Sequence, residues 1–336
     1  MISLNQINVP ALSYKDVYIV PQYSEVTSRT IVSTDTKIFD NLTIDVPVIS
    51  ANMDTITEAA MAIAIAKAGG LGALHRFCSI NDNLDAFIDT DKAKVPVLVS
   101  VGVNGDSKER ASALYKAGAR FFLVDVAHGH HKQVGEIISY LKDKYKDIRI
   151  MAGNVATPEG VKFLAKAGAD SVKVGIGPGN VCITKNVTGV TVPQFTAVRN
   201  CVDIEYYKIY TQDFWNTSII ADGGITEIGD IAKALAAGAN AVMCGRLFAA
   251  CKETPGPYLN GKKVYRGMAS KDAMKKIRSE TELPTPEGAS VVIEDSPTSV
   301  EEVIKHIKGG LQSAFSYSGV TSLRAFQDNA VIGLRR

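Results

Sequence analysis

The chain has 336 residues, long for one ordinary domain, with 46% apolar and 21% charged residues, the make-up of a globular protein able to bury a large core. A formal net charge of +2 is too small to make nucleic acid or an anionic membrane the expected partner. The opening MISLNQINVP lacks the basic-then-apolar order of a signal peptide, and the most apolar stretches, such as Ala59–Ala66, are far too short to span a bilayer. Five scattered cysteines (Cys78, Cys182, Cys201, Cys244 and Cys251) make no CxxC pair and no zinc spacing. That set fits a reducing, cytoplasmic setting in which one is a nucleophile and the rest pack.

A short phrase recurs along the chain. AKAGG ends at Gly70, YKAGA at Ala119, AKAGA at Ala169 and LAAGA at Ala239, and an apolar run follows each. A glycine there suits the left-handed residue that closes a helix, and the apolar run reads as a buried parallel strand. Eight strands are predicted, near Val46–Ser50, Leu71–His75, Val95–Val101, Phe121–Asp125, Ile148–Ala152, Ser171–Gly175, Ser218–Asp222 and Ala241–Gly245. Eight β-then-α units predict an α/β fold, a single closed (β/α)8 TIM barrel over residues 1–336, with a doubly wound open sheet as the competitor. Lys252 to about Ser296 does not read as another such unit. Its PGPYLNGKK looks like a hairpin and its SETELPTPEGAS is polar, so the segment is expected to be an active-site flap, or else a surface loop.

Active sites of such barrels are built just after the strands. There the chain places Asn52, Asp54, His75-Arg76, Asp125, Asn154, Asp222-Gly223-Gly224 and Gly245-Arg246. The strongest signal is GIGPGNVCITK, Gly175 to Lys185. Its glycines let backbone approach a ligand, and its amides can lower the pKa of Cys182, whereas an inert packing cysteine needs no such cradle. Glycines after strands seven and eight suit a phosphate, helped by the helix N-termini that follow, with Asp222 free to accept from ribose hydroxyls. Tight turns alone would also account for those glycines. The histidines of AHGHH (Ala127 to His131) lack metal-ligand spacing and are expected to pack near the site. His75-Arg76 either meets a cofactor phosphate or caps its strand.

Several longer stretches then go together: SANMDT (Ser50–Thr55), DVAHGH (Asp125–His130), AGNVAT (Ala152–Thr157), VKVGIGPGNVCITK (Val172–Lys185), IIADGGI (Ile219–Ile225), ETPG (Glu253–Gly256), YRGMAS (Tyr265–Ser270) and GGLQSAFSYSG (Gly309–Gly319). With these the chain resembles the inosine monophosphate dehydrogenase and guanosine monophosphate reductase family over nearly its whole length. The resemblance implies that Cys182 attacks purine C2, with Thr184 and Glu287 moving a proton. It puts the nucleotide against Asp222, Gly223, Gly224, Gly245, Arg246, Gly267, Met268, Ala269 and Ser270. It implies potassium on the carbonyls of Gly177, Gly179 and Cys182. The dinucleotide would lie near Arg76, Asp125, Val126, Ala127, Ile176 and Gly177, and near Ser28, Arg29, Ser313, Ala314, Phe315 and Ser316, with Ser28-Arg29 supplied by a neighbouring subunit of a homotetramer.

Two absences separate the branches. No paired regulatory (CBS) domain fits between Arg76 and Val95, and the flap sequence KKIRSETELPTP has no Arg-Tyr pair to activate water. Both point to GMP reductase, the NADPH-dependent deamination of GMP to IMP and ammonia. The alternative is NAD-dependent oxidation of IMP to XMP on the same scaffold. A nucleotide-binding regulator without catalysis is disfavoured by Cys182 with Thr184. Arg246 stands where a glycine is common in the family.

Overall fold

Four helices of this protein end alike. Gly69, Gly118, Gly168 and Gly238 have φ of +97°, +113°, +109° and +109°. The next amide then reaches back five residues, Gly70 to the Ile65 carbonyl at 2.9 Å, Ala119 to Leu114 and Ala169 to Leu164 at 3.0 Å, and Ala239 to Ala234 at 3.2 Å. This closure turns the chain straight into the following strand, so the repeated phrase is the joint of the architecture.

The computed structural model describes residues 11–202, 217–275, 285–294, 296 and 298–335. In chain order the strands are β1 (Val17–Val20), β2 (Thr36–Phe39), β3 (Leu42–Ile44), β4 (Val48–Ser50), β5 (Leu71–Leu74), β6 (Val97–Val101), β7 (Phe121–Asp125), β8 (Arg149–Val155), β9 (Ser171–Val174), β10 (Ser218–Asp222), β11 (Ala241–Cys244), β12 (Tyr258–Leu259), β13 (Lys262–Arg266), β14 (Ser290–Ile293) and β15 (Val331–Leu334). The helices are α1 (Ala59–Lys67), α2 (Ile80–Lys92), α3 (Ser107–Lys116), α4 (Lys132–Lys144), α5 (Pro158–Ala167), α6 (Thr184–Thr188), α7 (Gln194–Val202), α8 (Ile228–Ala236), α9 (Lys271–Met274), α10 (Val300–Tyr317) and α11 (Leu323–Asn329).

Strands β4 to β11 close into a parallel barrel in sequence order, β11 pairing with β4. The fold is the expected (β/α)8 barrel, and the open sheet is excluded. Strands β4 and β6 each start two residues later than predicted, immediately after Pro47 and Pro96, because proline has no N–H to give the ladder. β8 runs on to Val155, since Gly153 and Val155 still pair with Asp125 and Val174. The segment from Arg76 to Val95 holds only α2 and its flanking turns.

Alternate residues point inward and outward. Ile49, Leu71, Leu98, Leu123, Met151, Ile220 and Met243 fill the barrel, while their strand neighbours pack under the helices. The β2–β3 hairpin plugs one end: Phe39 stacks on Phe121 at 5.4 Å, and Thr36 bonds the carbonyl before β11 at 2.8 Å. The other end, where the strands finish, stays open for the site.

Within the 252–296 excursion, the described residues include a small antiparallel sheet, β12-β13-β14, while most of the KKIRSETELPTP stretch lies outside the described residues. β12 and β13 meet at Asn260-Gly261, both with positive φ (51° and 76°), the turn that matches a hairpin's twist. β14 adds to β13. Arg266 ties this sheet to the barrel: its Nε donates to Asp54 Oδ1 at 3.1 Å and its Nη2 to Asp54 Oδ2, both side chains buried. Among the described residues no helix is long and apolar enough to cross a membrane.

Candidate active site

Cys182 stands on the loop between β9 and α6, its Sγ 3.2 Å from Thr184 Oγ1. A distant part of the chain clasps that loop. Ala289 N donates to Val181 O and Ile183 N donates to Glu287 O, each at 2.8 Å, so Cys182 and Gly288 form an antiparallel bridge. Gly267 N donates to Ala289 O at 3.0 Å, and the amides of Glu287 and Gly288 both donate to Ala269 O at 3.1 Å. These approaches leave no room for side chains: a Cβ on Gly267 would sit 2.9 Å from Val181 O, and one on Gly288 2.7 Å from Ser270 N. Cys182, Thr184, Glu287, Gly267, Met268, Ala269 and Ser270 are thereby brought to one place, Glu287 half-buried at its rim.

The opposite wall of the loop is Asp222-Gly223-Gly224, with φ of +91° and +78° at the glycines. A Cβ on Gly223 would meet Pro178 Cγ at 3.0 Å and Gly179 N at 3.1 Å. Gly245 faces Met53 and the Tyr265 hydroxyl, and Arg246 is exposed beside them. Asp230 Oδ2 accepts from Thr226 N at 3.0 Å and Glu227 N at 3.3 Å, the two residues just before α8. The helix expected after Gly245-Arg246 is a correction: turns follow there. Ser270 is also buried and engaged, its Oγ accepting from Ala273 N at 3.3 Å as the cap of α9.

Asp222 is already engaged through one of its two oxygens. Its Oδ2 accepts from Asn154 Nδ2 at 2.8 Å and from Lys173 Nζ at 2.9 Å. The same ammonium lies 2.7 Å from Asp125 Oδ1. Burial alone would raise the Asp125 carboxyl and lower Lys173, but their mutual attraction reverses both: Asp125 is held below the usual carboxylate range and Lys173 above the usual lysine range. Arg76 and Asn52 reinforce the ionised Asp125. Sequence reasoning passes over Lys173, since VKV reads only as strand. A lysine on the inward position of a buried strand is the available signal.

The remaining dinucleotide candidates fall in two groups. Arg76, Asp125, Val126, Ala127, Ile176 and Gly177 lie at the strand ends. Ser28, Arg29 and Ser313 lie on the barrel's flank, where α10 packs against α1, α8 and the 29–31 turn, and Arg29 donates to Ser313 Oγ at 2.7 Å. Ala314 is half-buried there. Phe315 and Ser316 are corrections: both are buried, and Phe315 stacks on Phe326 at 4.3 Å as core.

His75 caps its strand rather than facing outward: Phe77 N donates to Nδ1 at 3.1 Å, and Nε2 lies 3.5 Å from Glu58. Burial would lower its pKa, but hydrogen bonding and charge from Cys78 and Glu58 outweigh that and raise it to about 9. His128, His130 and His131 are all exposed, not packed as expected, and no metal-type cluster of His, Cys, Asp and Glu occurs among the described residues. Burial pushes the thiols of Cys201 and Cys251 up to about 12 and that of Cys244 well above its usual value, the packing role expected of them.

The chain as a whole has known counterparts. The family model described as the IMP dehydrogenase / GMP reductase domain matches residues 11–335. The chain belongs to that family. It is 33% identical to an inosine-5'-monophosphate dehydrogenase of Borreliella burgdorferi, covering 97% of this chain and 94% of the relative. It is 35% identical to one from Cryptosporidium parvum, over 93% and 89%. Among solved structures it is similar to a cysteine-to-alanine variant of GMP reductase from Trypanosoma brucei in complex with guanosine 5'-monophosphate. That match has a TM-score of 0.89 and 27% identity, over 99% of this chain and 97% of the other. The IMP dehydrogenase / GMP reductase family comprises nicotinamide-dependent oxidoreductases of purine nucleotides.

Proposed function

We propose that the protein is a GMP reductase, taking GMP and NADPH to IMP, ammonia and NADP. The observation carrying this reading is the clasp that seats Glu287 beside Cys182 and Thr184, together with a flap sequence that has no Arg-Tyr pair. Cys182 as thiolate adds to purine C2. A proton passed through Glu287 and Thr184 lets the 2-amino group leave as ammonia, giving a thioimidate on Cys182. NADPH, when bound, supplies hydride to C2, after which the thiolate leaves as IMP forms. Asp222 and Asp125 are the acceptors for the two ribose diols, and Gly223, Gly224, Gly245 and Arg246 the donors for the 5'-phosphate.

Arg29 and Arg76 favour NADPH over NADH, since guanidinium suits a 2'-phosphate. Arg29 and Ser28, on the flank, would serve a neighbouring subunit's site in a homotetramer in the cytoplasm. No described hydrogen bond reaches the carbonyls of Gly177 and Cys182, and that of Gly179 accepts only one, from Cys182 N at 3.1 Å. Such oxygens fit potassium, which would hold the Cys182 loop.

A second reading, oxidation of IMP to XMP with NAD, is favoured by the names of the relatives just described. One experiment separates them. The protein is incubated with GMP plus NADPH, and separately with IMP plus NAD, following absorbance at 340 nm and identifying the product, with Cys182→Ala as the control. IMP from GMP is expected. XMP with reduced NAD, and no NADPH consumed with GMP, would hand the chain to the dehydrogenase branch.

A further inference from the structure

Lys173 is an expensive residue. It sits in β9 between Val172 and Val174, is 3% exposed, and points into the barrel where the other strands supply aliphatic side chains. Room for it is made by Gly153, where a Cβ would lie 2.5 Å from the Cβ of Lys173. Taking an ammonium and its partner carboxylates out of water costs several kcal/mol per ion, and well-packed apolar residues usually serve stability as well or better. Stability therefore does not explain the choice.

Its placement does. Asp125 ends β7 and Asp222 ends β10, while Lys173 on β9 reaches both, at 2.7 and 2.9 Å. One cation serves two anions from different strands. Each carboxylate gives Lys173 a single oxygen, Oδ1 of Asp125 and Oδ2 of Asp222. We infer that Lys173 is a positioning residue for both halves of the site. It aims Asp125 and Asp222 together, so that the acceptor for the dinucleotide's sugar and the acceptor for the nucleotide's sugar are in place at the same time. The inference rests on the sugar-binding roles proposed above.

The other titratable groups around the triad are Arg76 facing Asp125, and Cys244, Tyr14 and Tyr265 facing Asp222. Burial raises the last three above their usual values, so they stay neutral near neutrality. Without Lys173, two like charges share a buried mouth with only Arg76 beside Asp125, and Asp125 loses the cation that holds its carboxyl low, so it takes up a proton at a higher pH than before.

The test is calorimetric binding of GMP, IMP, NADPH and NAD to the parent, Lys173→Met and Lys173→Arg from pH 6 to 9, with thermal melting to verify folding. In Lys173→Met, both the nucleotide and the dinucleotide that the parent binds should weaken about 10- to 100-fold at pH 6 and recover as pH rises, while Lys173→Arg retains most affinity. The double variant Lys173→Met, Asp125→Asn removes a charge of each sign, which keeps the test available if the single variant does not fold. It should restore nucleotide affinity and leave dinucleotide affinity low. A folded Lys173→Met that binds both ligands like the parent overturns the inference, as does an equal loss at every pH. A parent that binds neither kind of ligand overturns the proposed function and this inference together.

Discussion

Gly175→Ala should disable the site through a single methyl group. Gly175 follows β9, and its peptide is pinned on both sides: its N–H donates to Val155 O at 2.8 Å, and its carbonyl accepts from Asn154 Nδ2 at 2.7 Å. A Cβ built there lies 2.0 Å from the carbonyl oxygen of Asp222, against a practical limit of 3.0 Å, and φ is +152°. Backbone must therefore move by about 1 Å, separating the Cys182 loop from Asp222, and a misplacement of that size costs about 100-fold in rate. Residual strain of about 1–3 kcal/mol corresponds to a melting temperature lower by only about 1.5–4 °C in a chain of this length. The assay is steady-state turnover of GMP with NADPH beside the rate of Cys182 alkylation, so that the thiol's surroundings are read even without turnover. A variant within threefold of the parent in turnover would refute the claim that this contact sets the loop.

Glu287→Gln is expected to slow GMP deamination by about a hundred- to ten-thousand-fold while GMP affinity, measured by calorimetry, changes little. Arg266→Met takes the guanidinium away from the buried Asp54 carboxylate, which costs about 3–5 kcal/mol or about 4–7 °C in melting temperature, and Asp54→Asn in the same chain should recover part of the loss. The His75 pKa of about 9 lies above its unfolded value near 6.5, so its pairing stabilises the fold fully below about pH 6.5 and is lost as pH rises toward 9. Glu58 is half exposed, which reduces that contribution to about 1–2 kcal/mol, and the fall in melting temperature between pH 6.5 and 9 should shrink in His75→Gln. Potassium should raise turnover more than sodium or lithium, and equal rates in a bulky organic cation would remove the cation from the Cys182 loop.

What was legible in the sequence was local and repeated. Gly69, Gly118, Gly168 and Gly238 announce helix ends because a left-handed residue leaves a mark in one position, and all eight barrel strands follow from them and from apolar runs. The Cys182 loop was equally plain. What stayed hidden depends on partners far along the chain. β1 and β15 pair with each other, and β14 pairs with β13. Phe315 reads like part of a polar binding stretch until its stacking on Phe326 is seen. Lys173 hid inside an apolar run, since only the closed barrel reveals that Asp125 and Asp222 flank it. Asp54 and Arg266 likewise give no sign of each other before the flap sheet is built.

The clasp of Cys182 by residues 267–270 and 287–289 also bears on how the protein is born. A ribosome delivers the thiol loop first and the segment that holds it roughly a hundred residues later, about 5–20 s afterwards at ordinary elongation rates. During that interval the emerging chain carries the cysteine without Gly288 across from it and without Glu287 at its side. A nascent chain stalled before residue 287 would have all eight barrel strands, β4 to β11, with the Cys182 loop still unclasped, so the loop's surroundings are completed only by chain made near the end of translation.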